Sequence, residues 1–383
     1  MGQNVKLVAK TLFGLEDVLF NELKTLGALH LFKGQRMVSF EGDTGFIYKA
    51  NLACRTAIKI LKPIHEFEAK DEQAYYNEMF AFDWSELISL ENTFAIDATV
   101  FSETFTHSKY IALRCKDAIV DQFREKLGSR PNIDTENPDI RINVHIHMHQ
   151  VTISLDSSGV SLHQRGYRVA TSLAPINEVL AAGLLLLAGW DGQCDFLDPM
   201  CGSGTILIEA AMIAANIPAN LHRKQFAFEK WADWDENLFN TIKESLLKKT
   251  KDITCRINGF DMDFQAIKKS KINISNAMLE DFIDVDTQDF FTSSKAKAEK
   301  LFILCNPPYD ERLSIDTQSF YASIGNTLKK HYTNTEAWLI TSNYDAIKSV
   351  GLKPSEKIKV FNGSLEARLL KYDIYEGSKR NKE

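Results

Sequence analysis

A chain of 383 residues exceeds the usual reach of one hydrophobic core, so two or three domains are expected. Its 44% hydrophobic and 25% charged residues exclude a disordered or fibrous chain. A net charge of -6 argues against a protein that coats nucleic acid non-specifically, yet leaves room for a local basic face.

Near the start, Val5–Ala9 reads as a strand, and Leu15, Val18, Leu19, Leu23 and Leu26 recur at helical spacing until Gly27. A small α+β module follows from these two elements. From Glu66 to Glu103 there are ten acidic residues against one Lys, whereas Thr104 to Pro131 carries six basic residues against three acidic. Within that basic stretch, Ser108 to Leu127 sets Ile111, Cys115, Ala118, Ile119 and Phe123 on one helical face, with Lys109, Lys116, Arg124 and Lys126 toward solvent. It is either a solvated amphipathic helix or one that contacts phosphates. The run from Arg141 to Leu155 alternates as a strand does, which places His145, His147 and His149 on one sheet face. No carboxylate partner accompanies them, so they are not assigned to a metal.

After Asp156-Ser-Ser-Gly159 and the basic piece His163–Arg168 the texture changes to alternating apolar strands and helices. Strands are expected at Cys194–Leu197, Arg256–Phe260, Ile283–Thr287, Leu301–Cys305 and Glu336–Thr341, followed by an edge pair at Lys357–Phe361 and Leu369–Tyr375. With helices between most of them, this is an α/β fold with a doubly wound, Rossmann-like sheet. The longest apolar run, Val179–Ala188, is too short to span a bilayer, and Met1–Lys6 has no signal-peptide core, so a cytoplasmic protein without membrane contact is expected. Cys54, Cys115, Cys194, Cys201, Cys255 and Cys305 form no Cys-x-x-Cys pair and read as core residues.

The chemistry gathers at strand ends. The first strand of the sheet runs into Asp198-Pro-Met200-Cys-Gly202-Ser-Gly204-Thr, followed at once by a helix. A glycine-rich turn before a helix lets a ligand approach bare backbone. Neither Gly-x-Gly-x-x-Gly nor Gly-Lys-Ser/Thr is present, and Asp198 at the entrance disfavours pyrophosphate. A carboxylate there suits a cofactor carrying ammonium or sulfonium charge, as S-adenosylmethionine does. Asp261, ending the next strand, is placed to hold ribose hydroxyls. It lies far enough along the chain that the segment around Phe226–Trp234 must be an insertion, its aromatics packing locally or covering the substrate. Asp289 could accept from an adenine amino group, with the Phe290 ring against the base.

Two stretches, Asp198–Ala211 and Asn306-Pro307-Pro308-Tyr309, closely resemble the bacterial RNA guanine-N2 methyltransferases of the RlmL type. The resemblance extends over the chain: Leu12–Leu19 looks like the opening of a ferredoxin-like module, Lys109–Asp121 like the THUMP helix, and Asp156–Arg168 like the junction. It implies a ferredoxin-like module at 1–64, an RNA-binding THUMP domain at 65–160, a seven-stranded class I methyltransferase domain at 161–376 and a loose tail at 377–383. It further implies S-adenosylmethionine at Asp198, Met200, Gly202, Gly204, Asp261, Asp289 and the segment Pro175, Asn177 and Glu178. Asn306, Pro307 and Tyr309 would meet the target base, a guanine in 23S rRNA or tRNA, without a metal. RNA contacts are expected from Lys109, Lys116, Arg124, Arg165 and Arg168.

The glycine-rich string is specific to this group, while Asn-Pro-Pro-Tyr is shared with adenine and protein-glutamine methyltransferases. A DNA adenine methylase and a non-catalytic RNA assembly factor are therefore the competing readings. A nicotinamide-dependent dehydrogenase lacks its third glycine and its hydride-transfer side chains. Asp310 stands where a glycine is common, and the second methyltransferase fused to some members is not present in these 383 residues.

Overall fold

The computed structural model describes residues 3–170, 176–295, 300–308 and 316–376. The N-terminal half builds β1 (Val5–Thr11), α1 (Glu16–Leu26), β2 (Leu29–Gly34), β3 (Met37–Gly42), α2 (Thr44–Ala53), β4 (Ala57–Glu68) and α3 (Glu72–Ala81). It continues through β5 (Thr93–Phe101), α4 (Ser108–Leu127), β6 (Asn132–Ile133), β7 (Ile140–His147) and β8 (Gln150–Asp156). All eight strands join one sheet of order β2-β3-β1-β4-β8-β7-β5-β6. The long strand β4 makes this possible: Ala57–Leu61 pairs with β1 and Leu61–Glu68 with β8. The expected boundary at residues 64 and 65 thus falls inside a strand. A single core runs beneath the whole sheet, from Leu7, Leu19 and Phe40 to Ile119, Ile142 and Ile153.

Local chemistry explains most of these elements. Asp43 and Asp71 cap α2 and α3 by accepting from Phe46 N and Ala74 N, and Gly27 closes α1 in the left-handed conformation. The alternating run from Arg141 to Leu155 is a hairpin rather than one strand. Met148 (φ 55°) and His149 form a two-residue turn, with His147 opposite Gln150. The apolar alternation slips by one residue there, from Ile142, Val144 and Ile146 to Val151, Ile153 and Leu155. His149 therefore does not share a strand face with His145 and His147.

The C-terminal half comprises α5 (Glu178–Leu187), β9 (Asp195–Asp198), α6 (Thr205–Ala214), α7 (Glu236–Leu247), β10 (Ile257–Asp261), α8 (Phe264–Asn276) and β11 (Ile283–Thr287). Then come β12 (Leu301–Cys305), α9 (Thr317–His331), β13 (Thr335–Thr341), α10 (Tyr344–Ser349), β14 (Glu356–Asn362) and β15 (Leu365–Ile374). Their sheet has the order β11-β10-β9-β12-β13-β15-β14. β9 to β13 run parallel, and β15 is antiparallel to both neighbours. Strand order reverses between β9 and β12, the crevice where such sheets bind ligands. Separate cores cover the two faces, one under Leu207, Ile208 and Trp338, the other under Phe290, Ile324 and Leu339. Gly259 of β10 lets α6 pack close, since a Cβ there would lie 2.3 Å from Leu207 Cδ1.

The insertion after α6 packs on the other half of the molecule. Phe226, Phe228, Trp231 and Leu246 belong to the N-terminal core, and the Phe228 and Trp234 rings sit 4.6 and 5.1 Å from Tyr48 of α2. Arg165 secures the same seam. Its fully buried guanidinium donates to Glu209 Oε1 on α6 (3.3 Å), Leu162 O (3.0 Å), Asn220 Oδ1 (3.2 Å) and Arg55 O. Tyr167 adds a hydroxyl donation to Glu209 Oε1 at 2.9 Å.

Removing one member of a buried charge pair strands the other. Arg165→Met should therefore lower stability by about 3–5 kcal/mol in urea unfolding, and Arg165→Met/Glu209→Leu should recover part of that loss. A double variant no more stable than the single one would mean that the stranded carboxylate is not the cause.

Candidate active site

β9 is short because its work ends at Asp198, where the chain turns through Pro199–Gly204 into α6. Asp198 Oδ1 accepts from Met200 N at 3.2 Å, and Cys201 N donates back to Phe260 O of β10 at 3.0 Å. Gly202 (φ 55°) adopts the left-handed conformation and has open space where a side chain would stand. Gly204 (φ 82°) could not carry a side chain, because its Cβ would lie 2.4 Å from Ser270 Oγ.

The second strand end is bound to the first. Asp261 accepts from Gly202 N at 3.0 Å and from Asp263 N at 2.9 Å, and its carbonyl takes Gln288 N at 3.1 Å, which brings in the end of β11. On the other side β12 runs in register with β9 through Ile303 and Leu197. Asn306 and Pro307 follow directly after β12. They therefore leave the sheet at the same edge as the glycine-rich loop, from the strand that pairs with β9.

This edge carries two carboxyl groups, Asp198 buried and Asp261 half-buried. Burial pushes the Asp198 carboxyl up to about 8, with the nearby Asp261 adding to the shift and Met200 N–H opposing it. Burial also raises Asp261, against the two backbone donors it holds. A buried carboxyl that a nearby cation would help to ionise, beside the half-buried Asp261, suits a cationic ligand and disfavours a phosphate. Met262, 76% exposed beside Asp261, offers an apolar surface there that sequence reasoning missed.

The other expected site residues divide. Asn177 caps α5, accepting from Val179 N and Leu180 N at 2.9 and 3.2 Å. Glu178 is buried 3.0 Å from Arg168, and burial still raises its carboxyl to about 7 against that cation. Asp289 accepts from Phe291 N at 2.9 Å and remains half-buried at the end of β11. Phe290 is corrected: it is 3% exposed and packed against Phe260, Phe291 and Tyr332, so its ring is not available to a base. Pro175, Tyr309 and Asp310 lie outside the described residues.

The expected basic contacts change most. Arg165 is fully buried and its donors are taken by protein acceptors, so it does not face RNA. Arg168 is largely covered, donating to Ile176 O (2.7 Å) and Thr205 Oγ1 (2.9 Å) beside Glu178. Lys116 pairs with Asp117 and Arg124 lies 3.7 Å from Asp121, whereas Lys109 is exposed. Sequence reasoning also missed Asn273 of α8. It accepts from Val169 N and Ala170 N and donates to Ser203 O, fastening the linker to the glycine-rich loop. Among the described residues no group of His, Cys, Asp or Glu side chains could hold a metal, and no helix is long and apolar enough to cross a membrane.

The chain matches the family described as "RMKL-like, methyltransferase domain" over residues 165–371, the THUMP domain over 69–156 and the RlmL ferredoxin-like domain over 6–61. It is 38% identical to the Ribosomal RNA large subunit methyltransferase K/L of Syntrophotalea carbinolica over 98% of its own length, and spans 54% of that relative. It is 36% identical to slr0064 of Synechocystis, covering 94% of this chain and 95% of the relative. The crystal structure of SMU.472 complexed with SAH superposes with a TM-score of 0.87 at 30% identity, over 99% of this chain and 100% of that one.

The raised Asp198 carboxyl has a consequence for stability. Between its unfolded value of 3.8 and about 8 the folded state holds a proton that the unfolded chain has lost, so its contribution to stability falls as pH rises through that window. Asp198→Asn should therefore gain stability over the parent by on the order of a few kcal/mol at pH 9. The gain should fade toward pH 4. Urea unfolding at both ends of the window measures it, and a pH-independent difference would contradict the assignment.

Proposed function

The chain belongs to the family of RMKL-like methyltransferase domains, here preceded by RlmL ferredoxin-like and THUMP modules, and from that premise we propose an S-adenosylmethionine-dependent RNA methyltransferase. The acceptor we assign is the exocyclic N2 of a guanine in 23S rRNA. The observation that carries this reading is the placement of Asn306-Pro307 beside a loop whose two strand-end carboxylates suit a cationic cofactor. The RNA assignment is supported by the THUMP match and by the relative named for ribosomal RNA.

The residues present fit the cofactor. Gly202 leaves room for close approach of a ligand to the backbone, Asp261 supplies negative charge, Asp198 can add to it by giving up the proton that its burial retains, and Met262 exposes an apolar surface next to Asp261. Asp261 would hold the ribose hydroxyls and Asp289 would accept from the adenine amino group. When bound, S-adenosylmethionine supplies a methyl group activated by its sulfonium.

The acceptor amine needs help, because its lone pair is delocalised into the base. The Asn306 side-chain oxygen and the Pro307 carbonyl would accept its two hydrogens, bias the nitrogen toward tetrahedral geometry and stabilise the positive charge that develops on it. Proline suits the second role by fixing the backbone. Tyr309 would stack on the flipped base and hold it in line, so orientation supplies much of the rate. The nitrogen then loses one proton to water or a carboxylate.

Asn306→Ala should leave S-adenosylmethionine affinity within a few fold while methyl transfer falls by about two or three orders of magnitude. Calorimetry and labelled-methyl transfer to undermodified ribosomal RNA measure the two effects, and equal losses in both would count against the role. Methylation of DNA adenine with ribosomal RNA left untouched would overturn the reading as a whole.

A further inference from the structure

The linker between the two halves turns against residues 222–225, and together they enclose an open cavity of about 480 Å³ that Glu178 also lines. Its charge is lopsided. Arg165, Arg168, Arg223 and Lys224 line it against one carboxylate, in a chain whose net charge is -6. Arg165 is answered by Glu209 and Arg168 by Glu178. Arg223 donates only to backbone carbonyls, those of Ser161 (3.0 Å), Gln164 (2.9 Å), Ser158 (3.2 Å) and Val160 (2.8 Å). Its Nε is buried without a partner, and Lys224 is exposed with no ion pair among the described residues.

The surplus is felt by its neighbours. Arg223 is pushed down to about 10 by burial, with Arg165 adding to the effect and Asp156 and Glu229 opposing it, and His163 is lowered by burial and by Arg168, Arg165 and Arg223. A guanidinium held by neutral carbonyls keeps its full charge, so the cavity favours an anion. The anion must stay ionised at neutral pH and be reachable from solvent, because Gln164, Lys224 and Gln225 are all exposed along the opening. A phosphodiester within a polymer meets both conditions. The cavity also adjoins the cofactor end of the molecule, since Arg168 on its wall donates to Thr205, the first residue of α6.

We propose that this cavity takes a backbone phosphate of the substrate RNA, with Lys224 as the direct contact and Arg223 as the fixed positive charge behind it. The assignment rests on the RNA reading above. It gives the segment after α6 a substrate-facing role that Arg165 and Arg168 of the linker, both committed to protein partners, do not fill.

Lys224→Glu tests it on the full-length chain, with Lys300→Glu at the opposite edge of the sheet as a charge-matched control. Lys224→Glu should weaken binding of a ribosomal RNA fragment by about tenfold and reduce the slope of log Kd against log salt by about one. S-adenosylmethionine affinity should not change, and Lys300→Glu should bind RNA as the parent does. Equal RNA affinity and salt slope for Lys224→Glu and the parent would overturn the proposal while leaving the RNA reading intact. A second titration uses inorganic pyrophosphate. If pyrophosphate binds in a Lys224-dependent manner and the parent binds no RNA, the cavity is a site for small phosphates, and both the RNA contact and the RNA reading fall.

Discussion

The architecture depends on one buried charge. Arg165 sits where the N-terminal sheet ends and the methyltransferase domain begins, and its guanidinium reaches a strand-flanking carbonyl, the linker, the post-α6 turn and the carboxylate of Glu209. A charge of that kind is costly to bury and is tolerated only when every part of its surroundings is in place. It therefore enforces a single arrangement of the two halves. Because Glu209 lies on the helix that follows the glycine-rich loop, the same contact sets the height of that loop relative to the linker. Arg168 adds a hydrogen bond to Thr205, and Asn273 of α8 ties Val169 and Ala170 of the linker to Ser203, both where the turn enters α6.

At the other extreme is a charge left unanswered. Asp198 and Asp261 are both raised by burial and neither has a cation beside it among the described residues. The fold holds these carboxylates in a conformation it does not stabilise by itself, which is the arrangement expected of a site completed by a ligand. Polar strain is thus distributed unevenly. At the seam a guanidinium answers a carboxylate, whereas at the strand ends only backbone N–H groups do.

The C-terminal sheet was legible in the sequence because parallel strands buried on both faces read as short apolar runs, and each of the seven expected strands lies within a few residues of its observed position. That the glycine-rich turn and Asp261 end neighbouring strands was legible for a related reason, and the structure joins them through Gly202 N and the Asp261 carboxylate. Arg165 and Arg168 were misread because a basic tripeptide spacing does not say whether the charge meets a phosphate or a buried Glu. The deciding partners, Glu209 and Glu178, lie far along the chain. Phe290 was misread because a ring beside a strand end can face the ligand or the second core, and its neighbours Phe260 and Tyr332 are visible only once the sheet is assembled. The Arg141–Leu155 hairpin carried its own signal in the one-residue slip of its apolar alternation.

Strand β4 deserves a last consequence. Because its first half closes the sheet with β1 and its second half with β8, every peptide bond of β4 runs beside one ladder or the other, and Leu61 pairs with both. An inserted residue in β4 would turn the face of everything beyond it, and two would carry the distal strands forward by roughly 6.6 Å while keeping their faces. The span from the outermost strand of this sheet to the linker is thus graduated in whole pairs of residues, as the teeth of a rack are.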